Sequence, residues 1–344
     1  MLEELRNDLV EYYNAHPATG NNPIIENMKP LNTGWASDVY AFTLKYDEAG
    51  EVVRQHLILK AYTNTVDGKD RALKERHALF NLRAARFPVP GVADVEIEPD
   101  HIGRPFIIME QIDGELMADA LNRADERERH ELVRLFVGLM TDLHEMGAKV
   151  LVPSMKPVGD YTLVNREIYI LRDIISRNGY AEFAPVVDWL YERRKTVSGQ
   201  SAVITHRDFH PWNILLTENR LPYVIDWGWQ VSDPRFDLAW TLTLLQRSGF
   251  GDLRDAVLAE YERVTGGPVE HLDYFEVLVS VRWLVNTAHA IRSGDALHSE
   301  SSAAFQMAMV EPARAALDLI AAGTGLELPS AQDVLYGGPV KTDD

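Results

Sequence analysis

The 344 residues include no cysteine, which removes disulfide staples, thiolate zinc sites and cysteine nucleophiles from the chemistry open to the chain. No apolar run approaches the ~20 residues that a membrane-spanning helix needs. Residues 1–16, MLEELRNDLVEYYNAH, are charged where a secretory signal would be apolar, so a cytoplasmic address and no membrane partner are expected. Basic residues are scarce beside acidic ones, 34 against 52, and the formal charge of −18 repels a phosphate backbone, so nucleic acid is not an expected partner. The same field would draw a cationic small molecule, although acidity also serves plain solubility. With 46% hydrophobic and 25% charged residues and no internal repeat, the chain reads as folded and soluble, and its length favours two compact parts.

What is present changes character along the chain. Leu2, Leu5, Leu9 and Tyr12 recur at helical spacing, and the helix should end near the Pro- and Asn-rich stretch 17–23. Segments 38–45, 52–62 and 105–109 are rich in β-branched and aromatic residues, which predicts an antiparallel sheet with one inserted helix, 70–86. From about residue 113 apolar stripes predict helices over 127–146, 161–177, 183–194, 237–245, 253–264 and 274–293. One β-hairpin interrupts them, 214–216 and 223–225 around the polar turn 217–222. The fold class expected is α+β. The charged run 123–131 reads as a solvated helix face and residues 337–344 as a loose tail.

Polar chemistry gathers at that hairpin. His206-Arg207-Asp208-Phe209-His210-Pro211-Trp212-Asn213 leads into it, and Asp226 stands at its far end. If the turn centres on Asn219-Arg220, Leu216 pairs with Tyr223 and Asn213 faces Asp226, with Cβ atoms about 4.5–5.5 Å apart. An amide oxygen and a carboxylate so placed suit Mg2+, which takes one or two protein ligands and fills the rest with phosphate and water. The plainer alternative is that both residues cap a hairpin. Asp208, on the loop leaving the apolar segment 202–205, could accept a proton from a substrate hydroxyl, or could simply form a turn.

The pattern H-R-D-x-x-x-x-N followed by Ile225-Asp226-Trp227-Gly228 resembles the catalytic core of protein-kinase-like enzymes. His210, Pro211 and Trp212 make it more similar to the aminoglycoside phosphotransferases and their choline and homoserine kinase relatives. That resemblance implies a bilobal protein-kinase-like fold, with a nucleotide-binding lobe over 1–112 and a mostly helical catalytic and acceptor-binding lobe over 113–344. It also implies ATP or GTP as co-substrate, Mg2+, Asp208 as base, Asn213 and Asp226 as metal ligands, and a small-molecule hydroxyl as acceptor. Phosphoryl transfer needs a cation on the nucleotide phosphates, and Lys60 supplies one on the face of its strand opposite Leu57, Leu59 and Ala61, although a lysine solvated at a sheet edge would look the same. Glu75 shares the stripe of Ala72, Leu79 and Leu82, where a carboxylate needs a partner or must snorkel to solvent; in the family that partner is the lysine.

Gly34 and Ser37 occupy the place of a phosphate loop, with one glycine where protein kinases carry three, and a plain turn would look the same. Backbone groups of Glu110 and Ile112 would meet the base at the hinge. Only eleven positions separate Asp226 from Asp237, too few for an activation segment, so protein substrates are not expected. Gly228 stands where many relatives carry a second acid. Arg207, often small in them, is expected to be structural, and Asp237 to hold the catalytic loop and cap a helix. Trp283, Asn286, Thr287 and Ala290 share a helix face that reads as core. A metabolic kinase of the choline, homoserine or ketosamine type and a catalytically silent nucleotide-binding scaffold remain open beside an antibiotic kinase.

Overall fold

Leu57, Leu59 and Ala61 alternate with Ile58, Lys60 and Tyr62, and this period of two makes Glu51–Tyr62 a strand with two distinct faces. The computed structural model describes residues 2–16, 20–33, 37–63, 65–98, 100–159, 161–197, 202–293, 302–329, 331 and 335. Gly34 and the tail 337–344 lie outside them. In chain order the elements are α1 (Leu2–Ala15), β1 (Asn21–Thr33), β2 (Ser37–Glu48), β3 (Glu51–Tyr62), α2 (Val66–Ala84), β4 (Val92–Glu96), β5 (Phe106–Glu110), β6 (Glu115–Leu116) and α3 (Met117–Arg123). There follow α4 (Glu126–Glu145), α5 (Thr162–Asn178), α6 (Ala184–Arg193), β7 (Val203–Thr205), β8 (Ile214–Leu216), β9 (Pro222–Val224), β10 (Gln230–Ser232), α7 (Arg235–Arg247), α8 (Gly251–Thr265), α9 (Leu272–Ser293) and α10 (Ser302–Thr324). The chain is α+β and divides into two units, Met1–Met117 with Trp212–Gly228, and Ala118–Pro211 with Trp229–Asp344. Among the described residues no helix is long and apolar enough to cross a membrane.

In the first unit, five antiparallel strands run in the order β1-β2-β3-β5-β4. Leu9, Tyr12 and Tyr13 of α1 pack with Phe42, Leu44, Leu57, Leu59, Phe106 and Ile108 of the sheet. Complete burial of a side chain such as Leu59 contributes about 1.5–3 kcal/mol. Strand β1 was not legible in the sequence: Pro23, Pro30 and left-handed Asn22 and Asn27 break its alternation, and the pairing with β2 shifts at three places. As an edge strand it tolerates these residues. Helix α2 begins four residues before the expected start because the Thr65 hydroxyl accepts the Gly68 amide and caps it there.

Strands β8 and β9 form the expected hairpin with a different register, Leu216 opposite Pro222 and Ile214 opposite Val224. The turn is the cause. Thr217 and Leu221 close a three-residue loop, with Leu221 O accepting the Thr217 amide, Thr217 O accepting the Arg220 amide, and Arg220 in the left-handed region at φ 59°. An odd loop moves the pairing by one residue, so Asn213 lies opposite Ile225, whose amide donates to the Asn213 carbonyl at 3.0 Å. The expected direct pairing of Asn213 with Asp226 is therefore corrected. Strand β6 joins the hairpin through β8, and a side chain at Gly114 would sit 2.4 Å from the Leu216 carbonyl oxygen, so this approach requires glycine.

The second unit is mostly helical. Val164, Ile168 and Leu171 of α5, Val186 and Leu190 of α6, Phe236 of α7, Phe275, Leu278 and Leu284 of α9 and Ala316 and Ile320 of α10 form one core. All six expected helices are present, with α3 and α10 in addition. Trp283 packs partly buried against the core and Thr287 is buried, while Asn286 is exposed, so the face read as core is only partly so. Strands β7 and β10 pair through Thr205–Gln230 and Ile204–Val231, which fixes the point where the chain enters the loop 206–211.

Candidate functional site

Strand β3 lies in the middle of its sheet, so the face opposite Leu59 is covered and Lys60 is buried with it, not solvated at an edge. Its ammonium lies 2.7 Å from Glu75 Oε2 and 2.6 Å from Asp226 Oδ1. Burial alone would depress the lysine; the charges and hydrogen bonds of Glu75 and Asp226 outweigh it and raise its pKa above the ordinary value. Glu75, itself buried, also accepts from the Tyr62 hydroxyl and from the Trp227 amide at 3.4 Å. Tyr62 stands two residues from Lys60 on the same strand face, and its own pKa is pushed well up by burial and by Glu75. A buried carboxylate with three donors is a satisfied one.

Asp226 reaches this cluster through its backbone. After β9 the chain takes φ 64° at Asp226, a conformation costly for a residue with a Cβ, and 55% of its side chain stays exposed beyond the lysine contact. Trp227, next in the chain, is buried, stacks edge-on against Phe87 and donates its indole N–H to the Val224 carbonyl at 3.0 Å. Asn213 ends a 3-10 turn, Pro211–Asn213, and is buried. Ser37 opens β2 opposite Tyr62. The Glu110 amide donates to the Gly91 carbonyl at 2.8 Å, and the Glu110 carboxylate accepts from Arg83 at 2.8 Å. Ile112 follows β5 on a half-buried stretch.

In the second unit, Asp208 Oδ1 accepts the Trp240 indole N–H at 2.7 Å and lies 3.2 Å from His210 Nε2. Burial would raise this carboxyl, yet the hydrogen bond and charge of His210, the charge of His206 and the Trp240 donor pull it down to about 2. It is ionised throughout the neutral range, with 41% of its side chain exposed, enough for a hydroxyl to meet it. The loop beneath is held by Asp237, fully buried, whose carboxylate accepts the amides of His206 at 2.7 Å and Arg207 at 2.9 Å and faces His144 Nε2 at 3.4 Å. Asp237 holds the loop as expected but does not cap the helix: it lies inside the first turn of α7, and Asp233 bonds the Arg235 amide. Arg207, at φ 79°, forms a buried bidentate pair with Glu167 at 3.1 and 2.9 Å and lies over the Phe236 ring. This is a structural role.

Sequence reading missed Tyr62, Glu167 and Trp240. Glu167 carried the same signal as Glu75, a carboxylate on an apolar stripe with Val164, Ile168 and Leu171, and so a demand for a buried cation. Trp240 lies one helical turn beyond Asp237 and on the same element, so the residue that holds the loop predicts where the next one points.

Solved structures of similar fold include a Ralstonia eutropha protein provisionally assigned as an aminoglycoside phosphotransferase, 14% identical over 93% of this chain and 97% of that one, with a TM-score of 0.62. A thermostable mutant of aminoglycoside phosphotransferase APH(4)-Ia, in ternary complex with AMP-PNP and hygromycin B, is 16% identical over 94% of this chain and 99% of that one, with a TM-score of 0.60. The GDP complex of wild-type aminoglycoside 2'-phosphotransferase-IIIa is 16% identical over 88% and 93%, with a TM-score of 0.56. No curated protein matches the chain. The fold is that of the protein-kinase-like phosphotransferases. The model of the phosphotransferase enzyme family that includes the aminoglycoside kinases matches residues 27–273, and the chain belongs to that family.

Proposed function

We propose that the protein transfers the γ-phosphoryl group of ATP or GTP to a hydroxyl of a small molecule. The observation that carries this reading is the buried ammonium of Lys60, held charged between Glu75 at 2.7 Å and Asp226 at 2.6 Å. A cation so placed serves nucleotide phosphates, and the nucleotides in two of the similar structures agree with it. In this reading residues 1–112 bind the nucleotide and residues 113–344 carry catalysis and acceptor binding. Because the Glu110 amide is committed to Gly91, a base would have to meet the Glu110 carbonyl and the backbone of Ile112. Ser37 and Gly34 remain candidates for the phosphates.

Asn213 and Asp226 offer an amide oxygen and a carboxylate, hard donors suited to Mg2+. Among the described residues no three His, Asp or Glu side chains form a metal cage, which fits an ion that takes one or two protein ligands. When bound, such an ion neutralises charge on the phosphates. Asp208 accepts the proton of the acceptor hydroxyl as its oxygen bonds to the γ-phosphorus and the bond to the β-phosphate oxygen breaks, so that ADP or GDP leaves. His210 and Trp240 hold the base ionised and aimed.

The test is 31P NMR of reactions containing the purified protein, Mg2+, ATP or GTP, and a panel of amino sugars, amino alcohols, hydroxy acids and sugar phosphates. A new phosphate monoester resonance with stoichiometric nucleoside diphosphate is expected for at least one acceptor. Nucleotide binding without any ester across the panel would favour the silent scaffold.

A further inference from the structure

Arg247, the last residue of α7, is half-buried, and its charged end has no hydrogen-bond partner among the described residues. Its Nε, Nη1 and Nη2 are each buried, and none has a hydrogen-bond partner among the described residues. The guanidinium carbon lies instead 4.2 Å from the centre of the Trp283 ring and 5.2 Å from that of Trp240. Trp240 is the residue whose indole grips the base Asp208 at 2.7 Å, and Arg247 feels the charge of that aspartate. Burial lowers Arg247 to about 10 against the pull of Asp208. Arg282, adjacent to Trp283 in the chain, lies over the Phe236 ring and is lowered to about 9 by burial and by the charge of Arg207. Five N–H donors left unmet in an aromatic slot are costly, and an apolar residue would serve packing better.

We infer that Arg247 binds an anionic group, a carboxylate or a phosphate, on the acceptor, so that the substrate is a hydroxy acid or a hydroxylated phosphate ester, not a polycationic sugar. This rests on the reading of Asp208 as the base that takes the acceptor's proton. Arg247 is a specificity-determining residue: its donor fork fixes the anion, and the neighbouring Trp240 ties that position to Asp208. Its burial makes the choice selective, because a neutral or cationic alcohol leaves the charge unmet.

The experiment compares wild type with Arg247→Met and Arg247→Lys. Thermal unfolding of the full chain is measured alone and with glycerate, glycerol 3-phosphate, glycerol or ethanolamine, probes that share a primary hydroxyl and differ in charge. Arg247→Met is expected to unfold at a higher temperature than wild type when no probe is present. Glycerate or glycerol 3-phosphate is expected to raise the wild-type midpoint only, and which of the two does so identifies the anion. A lower midpoint for Arg247→Met, or anions that act on neither protein or on both alike, would overturn the inference. With an acceptor found by NMR, Arg247→Met should raise KM about a hundredfold, far more than it lowers kcat, and Arg247→Lys should recover part of the loss. A neutral or cationic acceptor whose KM ignores Arg247→Met would also overturn it. Failure of every alcohol to be phosphorylated would count against the kinase reading alone, since unfolding needs no turnover.

Discussion

Lys60, Glu75 and Asp226 show how much one side chain's position can depend on partners far along the sequence. Glu75 was legible because a carboxylate on the stripe of Ala72, Leu79 and Leu82 calls for a cation wherever it does not snorkel to solvent, and Lys60 alternates onto the right face of its strand. The contact to Asp226 was not legible, because it depends on a left-handed residue that no spacing rule announces. Glu75→Gln keeps the volume and removes the charge that holds Lys60. With the two side chains only 8% and 4% exposed, removing one partner costs about 3 kcal/mol of stability, measurable by urea unfolding. An unchanged urea midpoint would mean that Asp226 alone satisfies the ammonium. Arg207 with Glu167 carries the same logic on the catalytic loop, where it fixes the backbone that presents Asp208.

The elements divide by how regular their local chemistry is. Six helices of the second unit and the strands β2, β3 and β5 were legible because their apolar periods run unbroken. Strand β1 was not, since its prolines and left-handed asparagines interrupt the alternation and only pairing with β2 makes it a strand. The hairpin β8–β9 falls between: its existence followed from two apolar runs around a polar turn, while its register turned on one residue of loop length. Arg220 adopts φ 59° to close that loop, and its ion pair with Glu115 spans 3.9 Å at the surface, worth little. Arg220→Gly should therefore stabilise the protein by about 1 kcal/mol, seen as a rise in the thermal midpoint. A fall would show that the arginine contributes more through its contacts than it loses through its backbone.

At the scale of the whole molecule, the fold is shared with phosphotransferases that agree with this sequence at 14–16% of positions. What survives that divergence is the fold, while the family was legible from one short stretch around Asp208 and the acceptor was not. The net charge of −18 describes the surface as a sum; it would draw a cation, but it serves plain solubility equally and does not choose an acceptor. Arg247, over the Trp283 ring, is a local charge, and a local charge can select a ligand where a diffuse field only biases its approach. The central claim is phosphoryl transfer with Asp208 as base. Its most direct test is transfer of labelled γ-phosphate to the identified acceptor by wild type and by Asp208→Asn, at saturating nucleotide and acceptor. A fall in kcat of about a thousandfold with nucleotide affinity unchanged is the expected result; an Asp208→Asn protein that transfers phosphate at the wild-type rate would contradict it.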